Sequence, residues 1–290
     1  MTIDNGAPVW LDLGTTDLEA AKSFYRDLFG WNFTSTGEDF GGYLMVDVGV
    51  PVGGAAPNKN EKGELDPSLP AWFTTYFKVD DIDAATADIT AHGGQVFVAP
   101  MRIGDLGSMA IVAAPSGAAF GLWQAASFAG FDTSGRPGTA VWFESLISDF
   151  DADAAFYRDV FGWRNVPEEQ ADARYVTNAA GRDARAGLMD GRGALPHGVP
   201  SHWQVTFAVE DVDAAVATVL ELGGAVHQPP MDSPNGRCAV VADPQGAPFG
   251  IIATEPAGLF RQLECDPVGH GVAGQPGVVL VERLVKFLQG

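Results

Sequence analysis

The sequence predicts an α+β fold made of four β-α-β-β-β units, and three observations carry that expectation. A long helical segment occurs twice: Asp17-Leu18-Glu19-Ala20-Ala21, followed by Phe24-Tyr25-Arg26-Asp27-Leu28-Phe29-Gly30-Trp31, returns as Asp149-Phe150-Asp151-Ala152-Asp153, followed by Phe156-Tyr157-Arg158-Asp159-Val160-Phe161-Gly162-Trp163. Asp17 and Asp149, like Gly30 and Gly162, stand 132 positions apart, so the period is that of a duplicated domain and not of a solenoid. Inside each copy lies a shorter echo, Val79-Asp80-Asp81-Ile82-Asp83-Ala84-Ala85 and Val209-Glu210-Asp211-Val212-Asp213-Ala214-Ala215. Every helical run is preceded by an alternating apolar strand and followed by further β-rich stretches.

Each helix begins and ends for a physical reason. Asp17, Asp81, Asp149 and Asp211 stand where a carboxylate accepts from free backbone N–H groups at the positive end of the helix dipole. Gly30, Gly93, Gly162 and Gly223 stand where a left-handed residue ends the helix. Leu18, Ala21, Phe24, Tyr25 and Leu28 share one apolar face. The following strands include Tyr43-Leu44-Met45-Val46, Gln95-Val96-Phe97-Val98, Met109-Ala110-Ile111-Val112 and Cys238-Ala239-Val240-Val241. Turns at Ala114-Pro115-Ser116-Gly117 and Asp243-Pro244-Gln245-Gly246 separate the last strands of units two and four. The expected layout is a first domain over 1–130, with units at 8–56 and 71–125, then a linker over 131–139. A second domain over 140–255 has units at 140–190 and 202–254, and a partly flexible tail fills 256–290, in which 279–288 reads either as a short amphipathic helix or as disorder. Residues 57–70 read as a mobile loop.

Composition excludes several classes. A net charge of −20 lacks the Lys and Arg clusters that phosphate backbones require, so no nucleic acid partner is expected. The same charge disfavours anionic membranes, and no apolar run reaches the ~20 residues of a membrane span. With no secretory leader visible, a cytoplasmic protein is expected. Two cysteines supply neither a disulfide framework nor metal spacing, and Cys238 reads as inert core.

These motifs, in fixed order and stated twice, resemble the vicinal oxygen chelate superfamily, the glyoxalase/bleomycin-resistance/dioxygenase group, over about residues 8–254. More narrowly, the chain is similar to actinobacterial two-domain glyoxalase-like proteins that are often labelled hydroxylases. The resemblance implies tandem domains, each a curved mixed sheet with helices on its convex face and ligand, often with a divalent metal, in the concave cup. It also implies a metal-ligating His seven residues before a helix-capping Asp and a Glu in the strand after the Asp-Pro-x-Gly turn. The corresponding residues here are Trp10, Thr74, Trp142 and Gln204 before the caps, and Gly121 and Gly250 in the strand. A catalytic cation site needs about three converging His or carboxylate ligands. No metal and no other cofactor is therefore expected.

Strand alternation then furnishes the cups. Val9, Leu11, Leu13, Val141, Phe143, Ile147, Phe73, Phe77, Trp203, Val205 and Phe207 are expected beneath the helices. Trp10, Asp12, Trp72, Thr74, Tyr76 and Trp123 are expected in the first cup, and Trp142, Glu144, His202, Gln204 and Thr206 in the second. Aromatic walls with a few polar anchors suit a flat or apolar organic ligand. Glu144 and His202 form the one carboxylate–imidazole combination in a single cup, a candidate general acid–base pair. His197 would complete a ligand set only if its loop folded inward. The expected function is metal-independent binding of a small aromatic or apolar molecule, in an antibiotic-sequestering or natural-product accessory role. The alternative is a superfamily-type enzyme: a glyoxalase-like lyase or isomerase, a dioxygenase or a hydroxylase. Besides the small-molecule ligand, a homodimer stays open as a partner arrangement, as does pairing of units within or between chains.

Overall fold

The computed structural model describes residues 3–37, 41–60, 64–131, 135–168, 174–193, 195 and 199–253. His197 and the 279–288 segment lie outside them. Unit one comprises β1 (Pro8–Thr15), α1 (Leu18–Phe29), β2 (Asn32–Ser35), β3 (Leu44–Asp47) and β4 (Pro51–Pro57). Unit two comprises β5 (Trp72–Lys78), α2 (Ile82–Ala91), β6 (Gln95–Ile103), β7 (Gly107–Ala113) and β8 (Ala119–Ala125). In the second copy, β9 (Ala140–Ile147), α3 (Phe150–Phe161), β10 (Val166–Glu168), β11 (Tyr175–Thr177) and β12 (Ala186–Asp190) form unit three. Unit four is β13 (His202–Val209), α4 (Val212–Glu221), β14 (Ala225–Ser233), β15 (Gly236–Ala242) and β16 (Pro248–Ala253).

The capping logic holds in all four helices. Asp17, Asp81, Asp149 and Asp211 each accept from backbone N–H groups of the first turn. Gly30 and Gly162 close α1 and α3 in the left-handed region, at φ 72° and 74°, where a side chain would be strained.

Each copy makes one eight-stranded mixed sheet, ordered β2-β3-β4-β1-β5-β8-β7-β6 and, in the second copy, β10-β11-β12-β9-β13-β16-β15-β14. The units of a copy join antiparallel through β1 and β5, and through β9 and β13, so pairing is within the chain. The last strand of each unit lies beside and parallel to its first, as β4 does to β1 and β8 to β5.

The two sheets meet through their helix-bearing faces. Phe73 packs on Phe207 and Phe77 on Trp203, with ring centroids 5.4 and 4.8 Å apart, while α1 lies beside α4 and α2 beside α3. One apolar core therefore runs through both copies. Reciprocal caps lock the arrangement. Trp31 Nε1 donates to the Gly138 carbonyl at 2.8 Å, and Trp163 Nε1 donates to the Gly6 carbonyl at 3.0 Å. Each copy thus satisfies a backbone group just ahead of the other copy's first strand, which a buried carbonyl requires.

Three sequence expectations are corrected. Val141 belongs not to the helix-side layer but to a separate cluster with Trp142, Tyr175, Met189 and Ala208; it lies at a register shift of β9 against β13, a shift that β1 shows at Val9 as well. The described part of the 57–70 loop is tied down: Asn58 is buried, its amide donates to the Leu69 and Pro70 carbonyls, and Lys59 bridges to Leu65. Cys238, buried in β15, is disulfide-bonded and not an inert thiol. Among the described residues, no helix is long and apolar enough to cross a membrane.

Candidate ligand-binding cups

At the centre of the first sheet, alternation along β1 turns Trp10 and Asp12 to the cup face. The Trp10 indole donates to Asp12 Oδ1 at 2.9 Å and to the Tyr43 hydroxyl at 2.8 Å. Tyr43 in turn donates to the same carboxylate oxygen at 2.5 Å. Tyr76, opposite Trp10 in register, also hydrogen-bonds Asp12. The carboxylate thus sits among three donors. Burial raises its pKa and the hydrogen bonds from Tyr43, Tyr76 and Trp10 oppose that rise. Burial first, and then the charge of Asp12, push both phenols well above the ordinary tyrosine range, so they remain protonated donors.

The second sheet repeats the motif. Trp142 Nε1 donates to the Tyr175 hydroxyl at 2.9 Å, and Tyr175 hydrogen-bonds Glu144. Trp142, Glu144 and Tyr175 follow Trp10, Asp12 and Tyr43 by 132 positions each. A glycine underlies each triad. A Cβ on Gly54 would stand 1.8 Å from the Tyr43 hydroxyl, and one on Gly187 2.1 Å from that of Tyr175. Glu144 has one phenolic hydrogen bond where Asp12 has two, and its pKa is raised to about 7, burial outweighing the Tyr175 hydrogen bond.

Other residues singled out in the sequence fall as follows. Thr74 lies opposite Asp12, and Gln204 opposite Glu144. Tyr76 covers Gly121, and Thr206 covers Gly250, in adjacent parallel strands. Trp123 donates to the Phe128 carbonyl at 2.9 Å, and the Phe128 ring reaches the Trp10 indole edge-on at 5.0 Å. Trp72 and His202, each the first residue of its strand, meet across the copies with ring centroids 5.3 Å apart. His202 takes a different hydrogen-bond partner from Glu144. It lies opposite Leu146, its Nδ1 is 2.8 Å from the Pro200 carbonyl, and burial lowers its pKa.

Sequence reasoning missed Tyr43 and Tyr175. They come from β3 and β11, whose register to the central strands no local pattern sets, although their separation of 132 positions was a usable signal. Donors that could gather on a cation are sparse, and among the described residues no three His, Cys, Asp or Glu side chains come together in a metal-holding group. A Cβ at Gly121 would lie 2.1 Å from the Tyr76 ring, so no carboxylate side chain fits there without displacing that phenol.

Two superfamily models match the chain: Glyoxalase/Bleomycin resistance protein/Dioxygenase superfamily over residues 8–122, and Glyoxalase-like domain over residues 141–252. A protein named "Putative glyoxylase CFP32" from Mycobacterium bovis is 41% identical over 256 residues, spanning 87% of this chain and 96% of that one. Anthracycline biosynthesis protein DnrV from Streptomyces peucetius is 35% identical over 260 residues, spanning 85% and 93%. Among solved structures, the 2,3-dioxygenase LapB from Pseudomonas sp. KL28 shares the fold with a TM-score of 0.58 at 16% identity, covering 90% of this chain and 98% of that one. The Mn(II)-bound glyoxalase from Novosphingobium aromaticivorans gives 0.57 at 16%, covering 87% and 83%. The chain is a tandem two-domain protein of the vicinal oxygen chelate fold. It belongs to the glyoxalase/bleomycin resistance protein/dioxygenase superfamily.

Proposed function

We propose that the chain binds a small aromatic or apolar organic molecule in a cup without a metal, in an accessory or sequestering role toward a natural product. The observation that carries this reading is the donor set. Each cup offers an indole, one carboxylate and a phenol bonded to one another, with Gly121 or Gly250 in the last-strand position and Thr74 or Gln204 on the second unit's first strand. Indole and phenol are poor ligands for a hard or borderline divalent cation, and a lone carboxylate falls short of about three ligands. The residues present do not fit the cation that the fold family implies. They do fit a flat organic surface, with rings for walls and a carboxylate as anchor. DnrV, named for anthracycline biosynthesis, supports the natural-product setting.

The test combines metal analysis of protein purified without chelator with titration of tryptophan fluorescence by aromatic polyketides, glycopeptides and small aldehydes. Sub-stoichiometric metal with saturable quenching is expected. Near-stoichiometric Fe, Ni, Mn or Zn, or quenching by none of the panel, overturns the reading.

One observation favours the enzyme alternative. The Glu144 carboxyl, at about 7, is matched to proton transfer near neutrality. Turnover by the wild type that Glu144→Gln abolishes, with binding retained, would support it.

A further inference from the structure

The two cups share one plan but differ in the side chains that stand over the last-strand glycine and beside it. In the first, the Tyr76 ring lies over Gly121 and its hydroxyl bonds Asp12. In the second, the residue paired with the same tryptophan and the same glycine is Thr206. The neighbouring strand repeats the change. Trp123, which is bonded to Phe128 and packs its ring on that residue, is replaced by Ile252 at the same register position. A phenol and an indole of the first cup have thus become a threonine and an isoleucine on adjacent strands of the second. The indole–carboxylate–phenol triad itself is retained as Trp142, Glu144 and Tyr175.

The triad's carboxylate is correspondingly short of donors. Asp12 hydrogen-bonds two phenols and an indole, whereas Glu144 has Tyr175 alone among these, although it is almost as well buried as the rings around it. A buried carboxylate takes further donors favourably, because each bond replaces lost hydration. Glutamate also reaches one methylene farther than aspartate.

We propose that the second cup is the ligand site and takes a planar phenol, its ring over Gly250 and its hydroxyl donating to Glu144 as Tyr76 donates to Asp12. Tyr76 is in effect a built-in copy of that ligand, and the first cup is closed by it. The inference rests on the binding reading above and deepens it by naming the cup, the anchor and the ligand class.

Proton linkage gives the interaction a sign. A phenol donating to a carboxylate favours the ionised acid, so affinity should rise from pH 5 to 8 as Glu144 loses its proton. A ligand carbonyl accepting from neutral Glu144 would give the opposite slope.

The experiment is calorimetric titration of the full chain with 2-naphthol and with 2-methoxynaphthalene, which has the same rings and no donor. Wild-type protein should bind 2-naphthol at least about tenfold more tightly, the worth of one hydrogen bond to a charged group, and increasingly so from pH 5 to 8. Glu144→Gln should reduce the preference to within about twofold and flatten the pH dependence. Thr206→Tyr should abolish 2-naphthol binding by rebuilding the internal phenol, with near-UV circular dichroism confirming that the variant is folded. Equal affinity for the two probes, an affinity that falls with rising pH, or binding unchanged in both variants overturns the inference while leaving the broader binding reading intact. If neither naphthalene binds, the inference falls, and the fluorescence panel decides the broader reading separately.

Discussion

The phenol of Tyr25 on α1 donates to the Asp243 carboxylate in the last turn of the second copy, 3.1 Å away and buried. The pseudo-equivalent contact is built the other way round. Asp153 on α3 accepts from the Ser116 backbone N–H at 3.0 Å and from its hydroxyl at 2.5 Å, in the last turn of the first copy. One acid lies in a turn and the other on a helix, yet each joins the two copies at the same kind of place.

Tyr25→Phe should therefore destabilise the whole chain, not one half. Asp243 keeps backbone donors from Gln245 and Ala247, so a loss of about 1–2 kcal/mol is expected. Urea unfolding followed by tryptophan fluorescence checks it. Two separate transitions, with only one of them shifted, would contradict the shared core.

Glu144 gives a pH signature. Its folded-state pKa of about 7 lies above the ordinary 4.5, so the folded protein binds this proton more tightly than the unfolded chain does. The stabilisation is complete below about 4.5 and is lost as pH rises through about 7. Glu144→Gln removes the ionisation cost. It should raise stability at pH 8 by up to about 3 kcal/mol, since each tenfold change in proton affinity is worth about 1.4 kcal/mol, and change little at pH 4.5. Thermal melts at the two pH values decide between this and a uniform effect.

Gly121→Ala should be costly, because its Cβ would stand 2.1 Å from the Tyr76 ring. A loss of about 2–3 kcal/mol is expected from overpacking. Combining it with Tyr76→Ala should recover part of that loss, since the two residues share one space. Denaturant midpoints of the two single variants and the double variant test the coupling, and strict additivity would refute it.

Trp31→Phe and Trp163→Phe each remove an indole N–H from a buried carbonyl, that of Gly138 or Gly6. Each should cost about 1–3 kcal/mol. Amide hydrogen exchange should rise across the start of the opposite copy's first strand, β9 for the first variant and β1 for the second. Faster exchange confined to the substituted copy would count against the crossed caps.

Much of this is written in local sequence. Asp caps, left-handed glycines and strand alternation depend on neighbours a few positions away, and they set Trp10 with Asp12, and Trp142 with Glu144, on one face of each central strand. What local pattern cannot encode is register between strands far apart in the chain. That register sets Glu144 against Gln204, leaves His202 opposite Leu146, and delivers Tyr43 and Tyr175 from flanking strands. Val141 lies at a register shift that becomes visible only once β13 is laid against β9.

The exchanged aspartates at the centre of the molecule also settle who can pair with whom. Two first halves would set Tyr25 against Ala114 and Ser116 against Ala21, leaving both hydroxyls with no acid to meet; two second halves would put Asp153 and Asp243 together at each junction. Only the unlike halves supply one carboxylate per junction.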